Sequence, residues 1–171
     1  MKKRSFLVFS VILLLITLTG CESSATTSGT QSSNTPTVSK KTYGLNEDIY
    51  ITNDSGEYRL KITNIKETSD RNEYSDVDAD RVVIISYEYE NISLNDDLYI
   101  TEYDFKVYDA DSNSLEDYPI YDIKYSDTVG VGRKSSGEMA FALNNSSNYL
   151  ELEYYDNFWN SSSDCIIKLE W

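Results

Sequence analysis

The side chains that could do chemistry in this chain are carboxylates and two cysteines, because its 171 residues include no histidine. Without imidazole, neither Ser-His-Asp nor Cys-His catalysis nor an HExxH zinc helix can be built. The two cysteines, Cys21 and Cys165, are too few for a four-thiolate zinc site. What remains open is carboxylate chemistry, either cation binding or hydrolysis by paired acids.

One acidic segment has the beginning of a calcium-loop pattern. Asp109, Asp111 and Asn113 alternate along the chain as the first oxygen ligands of such a loop do. The glycine and the glutamate that the pattern requires further on are missing, so a solvated hairpin tip is the favoured interpretation. A second run, 76–80, shows the same alternation. Weak calcium binding is therefore kept as an alternative hypothesis, and no other cofactor is predicted.

Paired carboxylates could also hydrolyse a glycan, as they do in most glycosidases. The acids of this chain fall mostly at outward positions of predicted strands or at loop tips, where they are solvated. We therefore predict that the protein is not an enzyme. A carboxylate-dependent glycan hydrolase remains a second alternative.

Aromatic residues give the stronger functional signal. Phe158 and Trp159 lie in a predicted loop, and Tyr155 stands at the end of the preceding strand. Tyrosine and tryptophan dominate interface hot spots and can stack on sugars. We therefore predict a non-enzymatic binding module for a protein or a cell-wall glycan, with Trp159, Phe158 and Tyr155 as binding residues. The rival interpretation is a purely structural acidic surface domain.

The N-terminal segment indicates where such a module would work. A basic start, Lys2 to Arg4, precedes a run of 13 mostly apolar residues from Phe6 to Leu18. A membrane-spanning helix needs about 20 such residues, so the shorter run is typical of a signal peptide.

The residues that follow, Leu18-Thr19-Gly20-Cys21, resemble a bacterial lipoprotein signal. The resemblance implies cleavage between Gly20 and Cys21 and attachment of acyl chains such as palmitate to Cys21. The predicted location is therefore the extracytoplasmic face of the cell membrane, lipid-anchored, with a Gram-positive-type surface favoured over an outer membrane.

Charge narrows the list of partners. Loss of residues 1–20 would leave 12 Lys and Arg against 29 Asp and Glu, a net charge of −17. So acidic a protein repels phosphate backbones and anionic lipid head groups. We predict no nucleic-acid partner, and membrane contact only through the lipid on Cys21.

Composition divides the chain into three segments. Residues 1–20 are the predicted signal peptide, and residues 21–42 are a flexible linker in which 12 of the last 21 residues are Ser or Thr. A coil of that length spans about 25 Å between its ends. Residues 43–171 are the predicted folded domain.

Alternating apolar residues predict strands throughout this domain. Tyr58, Leu60 and Ile62 share one face, and Ile65 breaks their parity, which indicates either a bulge or the end of the strand. The stretch 82–85 is apolar on both faces and should be central in a sheet. Short strands are also expected at 98–101 and, at an edge, within 115–125.

The last strand places Cys165 on the same face as Ile167 and Leu169, which predicts a buried thiol. With Cys21 lipidated, Cys165 has no partner for an intramolecular disulfide. In all, the pattern predicts seven to nine strands in an antiparallel two-sheet sandwich held by packing alone.

Three blocks in this order resemble the telokin-like domains of bacterial secreted proteins and lipoproteins, a group that includes the mycobacterial secreted immunoprotective antigens. The blocks are Arg81 to Asn91, Tyr103 to Asp109 and Gly137 to Phe141. The resemblance covers residues 43–171. It implies an immunoglobulin-like sandwich, and it implies no established activity.

Overall fold

Residues 40–171 are described by the computed structural model, and they form eight strands in two four-stranded sheets. In this part of the chain the only helix is a single 3₁₀ turn, Glu102–Asp104. The predicted all-β sandwich is confirmed. Its strands are β1 Thr42–Tyr43, β2 Ile49–Asn53, β3 Gly56–Thr68, β4 Arg81–Asn91, β5 Phe105–Asp109, β6 Lys134–Leu143, β7 Tyr149–Tyr154 and β8 Cys165–Glu170.

The first sheet has the order β1-β8-β7-β5 and the second the order β2-β3-β4-β6. Every neighbouring pair is antiparallel except β1 and β8, which are parallel. The chain changes sheet four times, and the longest of these connections runs from β5 to β6 through residues 110–133. That connection supplies much of the surface described below.

Strand β4 is central, as its doubly apolar sequence predicts. Val83 and Ile85 face the main core between the sheets. Val82 and Ile84 face outward, yet they too are buried, because the loops at 69–80 and 115–125 cover this face. The residues of this second cluster are Val82, Ile84, Tyr118, Ile120, Ala140 and Ala142.

The bulge predicted in β3 is confirmed. The register with β4 shifts between Ile62 and Asn64, and the hydroxyl of Thr63 donates to the Ser86 carbonyl at 3.2 Å. The extra residue restores the parity, so that Ile65 is buried again in the core.

A pair of tyrosines links the two sheets by a hydrogen bond. The hydroxyls of Tyr58 in β3 and Tyr154 in β7 lie 2.7 Å apart, and Tyr58 also donates to Asp156 Oδ1 at 2.6 Å. Burial strongly raises the pKa of both phenols, so both stay neutral. Cys165 is buried and free, as predicted.

Two short strands predicted from the sequence are wrong in detail. In 98–101 only Leu98 pairs, through one bridge to Val129. Residues 115–125 follow the free edge of β6 by isolated backbone hydrogen bonds rather than as a regular strand. Pro119 lacks the N–H that would continue this ladder.

The domain includes the last residues of the predicted linker. Lys40 Nζ donates to Ser163 Oγ at 2.7 Å, Ile166 N donates to the Lys41 carbonyl at 3.0 Å, and Thr42 begins β1. The predicted signal peptide, with Gly20 and Cys21, and the linker up to residue 39 lie outside the described residues. Within 40–171 no helix is long and apolar enough to span a membrane.

Candidate functional site

The structure brings the three predicted aromatic binding residues together at one end of the sandwich. Tyr155 directly follows β7, and Phe158 and Trp159 lie in the loop between β7 and β8. The ring centroids of Tyr155 and Phe158 are 6.3 Å apart, and those of Phe158 and Trp159 are 6.4 Å apart in an edge-on arrangement. We call these three residues the aromatic tip.

A tight turn presents the tip. The backbone N–H of Trp159 donates to Asn157 Oδ1 at 3.0 Å, and that of Asn160 donates to the Asn157 carbonyl at 2.9 Å. An asparagine that accepts from the residue two positions on is a common way to fix such a turn. The indole is therefore held on an ordered backbone.

Exposure differs sharply within the tip. Trp159 is 91% exposed and Phe158 is 52% exposed, whereas Tyr155 is only 4% exposed. Tyr155 was predicted as a binding residue, but its ring is buried and not available on the surface. Tyr155 packs beneath the other two rings of the tip. Lys106 Nζ lies 4.7 Å from the Tyr155 ring centroid and 5.8 Å from that of Phe158.

Tyr155 also fixes the base of the tip through its hydroxyl, which donates to Glu153 Oε2 at 2.8 Å. Burial, together with this hydrogen bond to the Glu153 carboxylate, raises the pKa of Tyr155 to about 12. The phenol therefore remains a neutral donor at physiological pH. It is a structural anchor for the two rings above it.

The predicted calcium residues form a self-contained turn after β5. Asp109 is buried, and its carboxylate accepts from the backbone N–H groups of Asp111 and Asn113 at 2.9 and 2.8 Å. The side-chain amides of Asn113 and Asn145 each donate to Asp109 Oδ2 at 3.0 Å. Because the carboxylate is already hydrogen-bonded on both oxygens, a cation would have to displace these donors.

Burial alone would raise the pKa of Asp109, but the hydrogen bonds from Asn113, Asp111 and Asn145 outweigh it and hold the pKa below its ordinary value. The carboxylate is thus ionised and works as the organising acceptor of the turn.

Both acidic runs singled out in the sequence line one open depression of about 540 Å³, which includes Asp76, Asp78 and Asp111. Even so, no group of three acids or other ligand side chains within residues 40–171 is placed to hold a metal ion. Calcium binding therefore stays a prediction to be tested.

A second concave surface was not foreseen from the sequence. It is a groove of about 410 Å³ between the outer face of β6 and the 3₁₀ turn, and we call it the tyrosine groove. Tyr103 and Tyr125 on its walls are 69% and 75% exposed. Its other apolar lining comes from Val77, Tyr118, Pro119, Ile120, Ile123, Met139 and Ala140.

Three carboxylates also line the tyrosine groove: Glu102, Asp117 and Glu138. Glu138 is paired, because Lys66 Nζ lies 3.9 Å away and the backbone N–H of Lys124 donates to it at 3.2 Å. Neither Glu102 nor Asp117 forms an ion pair with any cationic side chain of the described domain.

Partial burial and the charge of neighbouring Glu102 raise the pKa of Asp117. A glycosidase acid, in contrast, is enclosed so that its pKa rises toward neutrality, whereas the Asp117 side chain is open to solvent. The geometry of the groove suits binding better than hydrolysis.

Sequence reasoning missed the groove because Tyr103 and Tyr125 lie outside regular strands and 22 residues apart. Only the lack of a structural reason for these two tyrosines could have indicated the groove from the sequence. Each is a tyrosine at a position where no strand parity requires a buried ring.

Cys165 offers no alternative site. Its thiol is buried, and that burial, with the nearby Asp164 charge, raises its pKa to about 12. A neutral, enclosed thiol is a poor nucleophile and a poor metal ligand.

Comparison with known proteins identifies the fold. A family model described as a domain of unknown function (DUF4352) matches residues 49–164, more than half of the chain. Among curated proteins none matches the sequence.

Two solved structures share the architecture. One is the crystal structure of MPT63, a secreted protein from Mycobacterium tuberculosis, with a TM-score of 0.59 and 15% identity over 78% of this chain and 98% of that one. The other is the YjhA protein from Bacillus subtilis, with a TM-score of 0.52 and 16% identity over 75% of this chain and 98% of that one. Identities this low show the fold alone, and the predicted resemblance to mycobacterial secreted antigens with an immunoglobulin-like sandwich is confirmed.

Proposed function

Because the chain belongs to the DUF4352 family of domains of unknown function, its function must be argued from its own surface, and we propose that it is a non-enzymatic, extracytoplasmic binding module. It is tethered to the cell membrane through a lipid on Cys21, and its sandwich captures a protein or a cell-wall glycan. The signal-like N-terminus supports the location, as does the likeness to a protein described as secreted.

The observation that carries the proposal is the aromatic tip. An indole left 91% exposed, on a turn fixed by Asn157, forgoes the hydrophobic stabilisation that burial would give it. A rigid aromatic pair loses little conformational entropy on binding, which is why such rings dominate interface hot spots. Lys106 adds a cation beside the rings that can pair with acidic groups of a partner.

Two anchors hold the tip in place from below. Tyr155 is packed under Phe158, and Lys40 joins the base of the loop through Ser163 and Glu153. Because the loop is already ordered, binding a partner should cost little conformational entropy.

The test of binding is crosslinking of the full chain on intact cells, followed by identification of what is captured. We expect Trp159→Ala to weaken capture of the specific partner by about 30-fold, the loss typical of a hot-spot tryptophan. Tyr74→Ala is the matched control, since Tyr74 is also a highly exposed ring but lies in the 69–80 loop. Equal capture of the partner by wild type, Trp159→Ala and Tyr74→Ala would show that the aromatic tip is not the binding site.

The anchor is tested separately by Cys21→Ser. We expect this variant to leave the membrane fraction or to accumulate as an unprocessed precursor, with the far-UV circular dichroism of the β-domain unchanged. Two acyl chains are what stable anchoring requires, so losing them should be visible in fractionation. A processed variant that stays on the membrane would contradict the lipid anchor and leave the binding claim standing.

A further inference from the structure

The tyrosine groove is a second concave surface, separate from the aromatic tip. Its volume of about 410 Å³ lies in the range of small-ligand sites. The two surfaces share no residue, because the tip belongs to the β7–β8 loop, whereas the groove is lined by β6, Val77 and residues 102–103, 117–120, 123 and 125.

Its chemistry combines two features that favour the same occupant. Tyr103 and Tyr125 leave most of their rings open to solvent, and the face of a phenol ring attracts a cation. Glu102 and Asp117 supply negative charge that no cationic side chain of residues 40–171 neutralises.

The groove is also held in a fixed shape. Asp104 Oδ2 accepts from the Thr101 N–H at 2.8 Å and so closes the 3₁₀ turn that carries Glu102 and Tyr103. On the opposite wall, the Tyr118 N–H donates to the Ala140 carbonyl at 2.8 Å and ties the 117–125 segment to β6.

We propose that the tyrosine groove binds a lysine or arginine side chain presented by an extended segment of a partner protein. The aliphatic stem would lie along Pro119 and Ile123, while the charged head meets Glu102 and Asp117 beside the tyrosine rings. A neutral sugar could stack on the same rings, but it would leave the repulsion between the two carboxylates uncompensated. The formal net charge of −14 further draws cationic partners toward the protein.

The probe is a blocked pentapeptide, Gly-Gly-Lys-Gly-Gly, titrated into the full chain in mild detergent, with the tyrosine ring resonances followed by NMR. Three further probes replace the lysine by acetyl-lysine, replace it by leucine, or offer an N-acetylglucosamine trimer. The lysine peptide should shift the Tyr103 and Tyr125 resonances in a saturable way, and the three neutral probes should not.

Matched variants distinguish the groove from general attraction to an acidic surface. Tyr125→Leu keeps an apolar wall but removes the ring, and Asp117→Asn keeps the shape but removes the charge. Each should weaken binding about threefold. Tyr74→Leu and Asp122→Asn remove the same groups outside the groove and should leave the affinity unchanged.

Two results would overturn the inference. One is equal binding by the groove variants and their controls. The other is binding of acetyl-lysine or of the sugar at least as tightly as lysine, which would assign the groove to a neutral ligand. Trp159→Ala should not affect this titration, so the outcome is independent of the role proposed for the aromatic tip.

Discussion

The buried and the exposed tyrosines of this protein differ in what their hydroxyls contact. Inside the sandwich, Tyr87 donates to the Ile100 carbonyl at 3.1 Å and Tyr89 to the Asp127 carbonyl at 2.7 Å. In the tyrosine groove, the hydroxyls of Tyr103 and Tyr125 have no hydrogen-bond partner within residues 40–171. The interior hydroxyls thus stabilise the fold, while those of Tyr103 and Tyr125 do not.

Within residues 40–171 the sheets are joined by packing and hydrogen bonds, with no disulfide. Tyrosine supplies area and a polar crosslink in the core, as in the Tyr58–Tyr154 pair between the sheets. On loops, Tyr103 and Tyr125 leave most of their rings open to solvent and should contribute little to folding. Substitutions in the two regions should therefore affect different measurements.

The largest effect is expected from Tyr89→Ala. Tyr89 is fully buried and stacks on Tyr87 with 6.3 Å between ring centroids, so truncation should cost about 3–5 kcal/mol of unfolding free energy. Tyr125→Ala is the paired control and should stay within about 0.5 kcal/mol of wild type. Urea denaturation followed by circular dichroism gives both values; equal losses would contradict the division between core and surface rings.

A smaller effect is expected at the inter-sheet pair. Tyr58→Phe should cost about 1–3 kcal/mol, because it leaves the buried hydroxyl of Tyr154 without a partner. Tyr154→Phe should cost less, because Tyr58 still donates to Asp156. The double variant should lose less than the sum, since both hydroxyls are then gone. Strict additivity in this mutant cycle would mean that the two phenols do not stabilise the fold as a pair.

These two predictions show what the sequence could reveal. Strand parity in Tyr58, Leu60 and Ile62, and the doubly apolar start of β4, depend only on local alternation, so both were readable in advance. The hydrogen bond between Tyr58 and Tyr154 could not be predicted, because the two residues are 96 positions apart and only the fold brings them together.

The surface was harder to foresee for the same reason. The sequence indicated the aromatic tip because Phe158 and Trp159 are adjacent in a loop, but it could not show that Tyr155 turns inward. The tyrosine groove is assembled from the 3₁₀ turn, β6 and an irregular edge segment. A groove formed by segments that are distant in sequence has no local sequence pattern from which it could be predicted.

The third effect concerns the turn organised by Asp109. Asp109→Asn replaces one accepting oxygen by an N–H donor facing the donors of Asn113 and Asn145, and it should cost about 1–2 kcal/mol near neutral pH. Asp109 lies outside the aromatic tip and the tyrosine groove, so binding at either surface should be unchanged.

This effect should depend on pH with a definite sign. The pKa of Asp109 is lower in the folded protein than in the unfolded chain, because hydrogen bonds from Asn113, Asp111 and Asn145 outweigh its burial. Its stabilisation is complete above the unfolded value of about 3.9 and is lost as the pH falls through the folded value. The gap in stability between wild type and Asp109→Asn should therefore narrow in acid; a constant gap would contradict the role given to the carboxylate.

If the exposed rings serve binding and not folding, Trp159→Ala should abolish binding without affecting stability. Unfolding free energy and partner capture on cells should be measured on the same variant, beside wild type and Tyr74→Ala. We expect the unfolding free energy of Trp159→Ala to stay within about 0.5 kcal/mol of wild type and the captured partner to be lost. Unchanged capture, or a stability loss as large as that of Tyr89→Ala, would contradict this expectation.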